Sequence, residues 1–482
     1  MNTAPGAALS NTRAASPAWV FFCMGALLSF APLVRGGNRQ IALGLLLAIS
    51  LCVLAGILAT LATRAHLRQS VYPAAPSRLW LLAVLLLVTS PIWLALIQLL
   101  PLDAELWSTL AGRSDYLPAL RQSGLAVPDT LPLSLNPSAT HAALWSALPV
   151  STAFATALLL TRRQVDRLLA LLLLAAGLQT LVAVLQFGGG RTSFFYFGSE
   201  HAGSVIGTFN NRNHLADFLG MCVPLWFYFA LRRSSGQHRG PLARLLPRSA
   251  WWPLWIVLGF AMLVVVLLTQ SRGGLLSTSV ALLACGWLLL RTRGQQLPAR
   301  LRWGAMAAMA LFVLAALISV GLEGLASRVQ TDRLVVDAQV RNAYAWSTLQ
   351  GALHFWPWGS GVGTFESVFP RFQALHSLGY VEYAHNDYPQ LLMELGLLAL
   401  PLMAAVVYLA IEQLRRLRPL ASGPRMRTGV LQRCLAGLAV LVMLMHSWVE
   451  FNMHIPALAI TAAFLAGVFV RPFNQQIEED QD

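Results

Sequence analysis

The sequence predicts an all-α polytopic membrane protein, with about twelve spanning helices and a large outer loop between the ninth and tenth. Three observations carry this. Of 482 residues, 56% are hydrophobic and only 11% charged, and the mean hydropathy is +0.61, a balance soluble proteins rarely reach. Apolar runs of roughly 20 residues, the length that crosses a bilayer core, recur twelve times. The arginines between those runs fall mainly on alternate connections.

Taken in order, the first run, about 17–34, follows Arg13 and has the outline of a signal peptide. The many spans after it make it an uncleaved first helix. The others lie at about 40–62, 79–101, 140–160, 168–188, 214–231, 251–270, 274–292, 304–322, 388–412, 431–449 and 455–472. With the N-terminus cytoplasmic, inner segments hold 23 arginines, including Arg64, Arg68, Arg162, Arg163, Arg291, Arg415 and Arg433, and outer segments hold 11. Acidic residues run the other way, with Asp217 and Glu394 inside spans. The positive-inside rule therefore places both termini in the cytoplasm. The whole of 1–482 reads as one integral membrane domain.

Composition also excludes functions. The net charge of +14 would suggest nucleic acid in a soluble domain. Here it reflects arginine in inner loops, and no nucleic-acid partner is expected. Every basic residue is Arg and none is Lys, which a GC-rich genome explains. Cys23, Cys52, Cys222, Cys285 and Cys434 are scattered in apolar runs, without CxxC or metal spacing, and read as small buried hydrophobes. The acidic tail, Glu478 to Asp482, reads as a solvated end.

Two outer segments are long. Residues 102–139 carry Trp107, Tyr116 and several prolines. Residues 323–387, inserted between spans nine and ten, carry Val340, Tyr344, Thr348, Leu349, Ala352, Leu353 and Trp356 at helical spacing. That spacing predicts an amphipathic helix at the outer interface. Pro357-Trp358-Gly359-Ser360-Gly361-Val362-Gly363 follows as a turn region. No strand precedes it and ATP is absent outside the cytoplasm, so it is not a nucleotide loop.

Polar clusters on the outer side supply the candidate chemistry, since ionisable residues at membrane depth are costly. Arg212 sits in Asn210-Asn211-Arg212-Asn213-His214, just before an apolar helix. An asparagine cap, a helix N-terminus and a guanidinium fork together suit phosphate. The plainer reading is an arginine snorkelling to headgroups; three asparagines and a histidine around it favour function. Arg272, in Ser271-Arg272-Gly273-Gly274, stands at the same face, where positive charge is depleted. His385 lies in Tyr383-Ala384-His385-Asn386-Asp387-Tyr388, before a helix carrying Gln390 and Glu394. It is the best candidate for a general base, with Asn386 and Asp387 expected to orient its ring. His446, Glu450, Asn452 and His454 at the last outer turn are weaker candidates.

Without an HxxxH or HxH pair, no metal site is expected; no cofactor is needed, and no GxSxG signature is present. A cationic pocket beside a histidine suggests a diphosphate leaving group and an activated hydroxyl.

At these residues the chain resembles the bacterial O-antigen ligase and polymerase superfamily of inner-membrane glycan transferases. The resemblance is strongest over Gly207 to Ala216, at Ser271-Arg272-Gly273, and from Arg341 through Gly361-Val362-Gly363-Thr364-Phe365 to Tyr388 and Glu394-Leu395-Gly396; Pro132 to Pro137 resembles the segment before the fourth helix. It implies a twelve-helix fold, a bacterial inner-membrane location with a periplasmic active face, and metal-independent transfer from undecaprenyl diphosphate. The acceptor is lipid A-core for a ligase and a growing glycan for a polymerase. Arg212, Arg272 and His385 match the family's essential arginines and histidine, and Glu450 the carboxylate of the last outer turn; Asn210, Asn213, His214, Arg341, Asn386 and Asp387 are supporting candidates. A transporter or flippase of lipid-linked glycan is the alternative of another class. Such proteins place charge at the bilayer midplane, whereas here it clusters at one face.

Overall fold

The computed structural model describes residues 18–66, 77–199, 203–233, 248–293, 299–329, 334–373, 379–421 and 426–471. Arg13 and the acidic tail lie outside them. The described chain is helical almost throughout. The helices are α1 (Ala18–Phe30), α2 (Gln40–His66), α3 (Arg78–Val88), α4 (Ser90–Gln98), α5 (Ala104–Thr109) and α6 (Tyr116–Gln122). There follow α7 (Pro137–Leu159), α8 (Arg162–Gly189), α9 (Arg212–Arg233), α10 (Arg248–Leu268), α11 (Arg272–Arg293) and α12 (Ala299–Val329). The last six are α13 (Leu334–His354), α14 (Phe365–Val368), α15 (Asp387–Leu395), α16 (Ala399–Ala421), α17 (Thr428–His446) and α18 (Pro456–Val470).

Among the described residues, eight helical stretches are long and apolar enough to cross a membrane: α2, α7, α8, α9, α11, α12, α17, and α15 with α16 taken as one. The bent pair α3 and α4 makes a ninth candidate. Three shorter apolar helices, α1, the Pro253–Leu268 part of α10, and α18, occupy the places of the first, seventh and last predicted spans.

Two predicted spans are not straight. The run 79–101 breaks between α3 and α4 with a 63° bend. Pro91 stands in the first turn of α4, where its missing N–H does no harm, while in a continuous helix it would remove a backbone bond. The run 388–412 breaks at Gly396–Leu398, where Gly396 has φ +55°. A Cβ there would lie 2.2 Å from the Pro357 carbonyl oxygen, so only glycine lets the turn meet the 357–361 loop.

Helix α9 forms the centre. Leu215, Phe218, Leu219, Cys222 and Leu225 are all buried, as expected of a helix packed on every side. It contacts α8, α10, α11 and α17. Lipid offers no hydrophobic drive between helices, so close packing must hold them. Small residues allow it: at Gly467 of α18 a Cβ would come within 2.5 Å of the Phe154 carbonyl oxygen of α7, and α18 and α7 form the most extensive helix pair.

The two long segments within 102–139 and 323–387 dock on each other. Residues 101–103 (β1) pair antiparallel with 130–132 (β2), Leu102 opposite Leu131, a two-stranded sheet joined through α5 and α6 that apolar runs alone do not predict. Arg113 is fully buried, its Nη2 donating to the carbonyls of Leu133 (2.5 Å) and Gly359 (2.8 Å). Those two acceptors tie the first segment to the glycine turn of the second. Leu135 N–H donates to Ser360 O at 2.8 Å. The predicted amphipathic helix is α13. It buries Thr348 and Ala352 and packs against α15, whereas Leu353 and, beyond the helix, Trp356 are exposed.

Candidate active site

A cavity of about 980 Å³ opens where α9, α11, α13, α15 and α17 meet, at the face that arginine counting assigns to the outside. It is lined by Arg212, Asn213, Arg272, Arg341, His385 and Asn386, with apolar side chains on another side. Thus three residues far apart in sequence, Arg212, Arg272 and His385, share one space.

Local chemistry sets each in place. Asn211 Oδ1 accepts from Asn213 N–H (2.8 Å) at the start of α9, which aims Arg212 from the first turn. Ser271 Oγ accepts from Gly274 N–H (3.3 Å) and caps α11, which opens with Arg272. Two helix N-termini, each carrying an arginine, therefore meet the cavity, an arrangement that attracts anions. A Cβ on Gly273 would come within 2.4 Å of His446 Cδ2, and one on Gly274 within 2.5 Å of Ala216 Cβ. The paired glycines let this turn sit against α17 and α9.

His385 has φ +51°, uncommon for a residue with a side chain and worth a functional reading. Its neighbours fix it there. Ala384 N–H donates to Gln390 Oε1 (3.0 Å), Asn386 Oδ1 accepts from Tyr388 N–H (3.2 Å) to cap α15, and Asp387 N–H donates to Ser447 O (3.0 Å). The imidazole packs edge-on to Phe451 at 5.0 Å.

Glu450 is the ring partner of His385, with Oε1 2.8 Å from Nδ1. Its Oε2 accepts from Asn213 Nδ2 and lies 3.2 Å from Arg341 Nη1. This carboxylate has no exposed surface. Burial alone would raise its pKa, but the hydrogen bond and charge of His385, with the charge of Arg341, hold it well below the usual carboxylate range. An ionised carboxylate only accepts, so His385 Nδ1 donates to it, and in the neutral ring Nε2 is the acceptor that remains.

The sequence reading expected Asn386 and Asp387 to orient this ring; the geometry gives them other work. Asp387 Oδ1 lies 2.8 Å from His454 Nδ1, and its Oδ2 accepts from Met453 N–H (2.9 Å). Burial opposes charge on His454, but the hydrogen bond and charge of Asp387 outweigh it and raise its pKa. His454 Nε2 lies 3.1 Å from Gln390 Nε2, and Gln390 Nε2 also donates to Glu394 Oε1 (3.3 Å). Glu394 accepts from Gly363 N–H (3.0 Å). This network lies beside His385 and joins it to the glycine turn.

Four supporting candidates, Asn210, His214, Asp387 and Glu450, do not line the cavity. The exposed Asn210 accepts through Oδ1 from Ser199 Oγ (3.0 Å). His214 is buried edge-on to Phe451 at 4.9 Å. A pair the sequence reading did not join is Asp217 with His446, 3.2 Å apart and both buried. An Asp within an apolar run was the signal available, but not its partner. Among the described residues no cluster suited to a metal ion occurs.

Comparison with curated proteins finds no match. Residues 257–404, from within α10 to the start of α16, match the O-antigen ligase family model, Wzy_C. That stretch contains Arg272, Arg341 and His385, while Arg212 lines the same cavity from outside it and Glu450, also outside it, holds His385 from behind. That domain match supports the O-antigen ligase superfamily.

Proposed function

We propose that the protein is an O-antigen ligase-like glycosyltransferase, moving a polysaccharide from undecaprenyl diphosphate to lipid A-core at the periplasmic face of a bacterial inner membrane. The observation that carries this is the single cavity holding Arg212, Arg272 and His385. Its apolar side includes Leu276, Leu283 and Leu317, all more than half exposed, a surface suited to a lipid chain. The reading carries with it a twelve-span arrangement, both termini cytoplasmic, and residues 323–387 as a periplasmic loop.

Arg212 and Arg272 hold the donor's diphosphate and offset charge as it departs. His385 Nε2 takes the proton of the acceptor hydroxyl, and Glu450 keeps the ring in the tautomer that allows this. The oxygen then attacks the anomeric carbon, and the bond to the phosphate breaks. No step needs a metal or a nucleotide.

Surface glycans of a strain lacking the protein test the assignment. Long chains accumulating on the lipid carrier, with bare lipid A-core, are the expected result. Single repeat units on the carrier would move the protein to the polymerases. Unattached chains held on the cytoplasmic side would make it a transporter.

A further inference from the structure

His446 ends α17, is 1% exposed, and still lines the cavity. Its Nδ1 lies 3.2 Å from Asp217 Oδ1 and its Nε2 3.4 Å from Ser271 Oγ. Asp217 is fully buried, and its Oδ2 has no hydrogen-bond partner among the described residues. Burying a carboxylate and an imidazole inside a helix bundle is costly, and such pairs mark proton pathways more often than they add stability. The pair is built in: the glycine turn of α11 packs so closely on the imidazole that a Cβ on Gly273 would lie 2.4 Å from His446 Cδ2.

Ser271 connects this pair to the anion site. Its Oγ accepts from Gly274 N–H at 3.3 Å. If the imidazolium Nε2–H donates to the same oxygen, both lone pairs are engaged. The hydroxyl proton is then left to donate to an anion held by the adjacent Arg272. His446 is therefore one hydroxyl away from the arginine assigned to the diphosphate.

We propose that His446, held by Asp217 and coupled through Ser271, is the acid that protonates the departing lipid diphosphate. This rests on the lipid-diphosphate reading above. The step balances. The acceptor's proton goes to His385 Nε2 as its oxygen bonds to the anomeric carbon. The carbon–oxygen bond to phosphate breaks, and its electron pair leaves on the phosphate oxygen. Ser271 passes its proton to that oxygen and receives one from His446 Nε2. His385 then releases a proton and His446 regains one from water, so one proton moves in net from acceptor to diphosphate.

The experiment uses the purified full-length protein in lipid nanodiscs, a prenyl-diphosphate-linked oligosaccharide and an acceptor. Binding and turnover are measured separately, and turnover is followed across pH. The charged and titratable groups around His446 are Asp217 and His214 on α9, with Arg212, Arg272, Arg341 and His385 lining the same cavity. His446→Gln is expected to slow turnover of bound donor about 100-fold, in the range for a lost general acid. Donor affinity stays unchanged, and the fall of rate at alkaline pH disappears. Ser271→Ala leaves the Asp217–His446 pair in place and is expected to move turnover the same way, so it decides the matter if His446→Gln misfolds. Normal turnover in both variants, or weaker donor binding with normal turnover at saturation, overturns the proposal. If wild-type protein does not bind the donor, or His385→Ala transfers normally, the underlying reading fails instead.

Discussion

Glu450 shows how one buried charge can organise a site. Its two oxygens reach α9 through Asn213, α13 through Arg341 and the His385 loop. Removing one partner of such a group leaves the others unpaired, which costs more than the pair adds. Glu450→Gln is therefore expected to cut transfer on the order of 100-fold, with donor affinity retained, in an assay that separates binding from turnover. A carboxylate whose pKa is depressed on folding stabilises above its unfolded value of about 4.3 and loses this as pH falls through the folded value. Its contribution should thus be full above about pH 5 and fade as pH falls towards the depressed folded value. His454 has the opposite sign. Its pKa is raised by Asp387, so its contribution is full below about 6.5 and is lost as pH rises through the folded value. Melting of detergent-solubilised protein should show an alkaline loss that His454→Gln removes; an unchanged slope would contradict this. Arg212, Arg272 and His385 were legible as polar residues stranded beside apolar runs. Adjacency misled at Asp387, because the helix start turns it towards His454. The contact of His446 with Asp217, 229 positions away, leaves no local trace.

At the scale of elements, apolar length announced the eight long apolar helices of the described residues, while breaks came from backbone geometry. Hydropathy counts side chains and is blind to φ, so the runs 79–101 and 388–412 read as continuous. Pro91 in α4 and the left-handed Gly396 then divide them. The second break places the glycine turn against α15: Ser360 N–H donates to Met393 O and Gly361 N–H to Glu394 O, both at 2.9 Å. Gly396→Ala meets both a strained φ and the Pro357 carbonyl. It is expected to cost about 1–3 kcal/mol, read as a lower thermal midpoint, and to reduce transfer by loosening the start of α15. A midpoint equal to wild type would show that the turn relaxes freely. The amphipathic helix was legible from its spacing, but its partner α15 was not, since helical period gives a face and not a neighbour.

For the whole molecule, the orientation proposed from arginine bias puts the cavity outside the cytoplasm. A cysteine at Gln373 should react with an impermeant reagent in intact cells, and one at Arg163 should not; the reverse pattern would invert the protein and remove its access to periplasmic acceptors. The central claim is that the arginines hold a lipid diphosphate while His385 activates the acceptor. The most direct measurement loads purified protein with labelled prenyl-diphosphate glycan, then adds acceptor and follows the label through a single turnover. Wild type is expected to bind and transfer. His385→Ala should bind with unchanged affinity and transfer nothing, and Arg212→Lys and Arg272→Lys should bind weakly, since lysine keeps the charge but loses the fork. Full transfer by His385→Ala, or wild-type donor affinity in both lysine variants, would contradict the account.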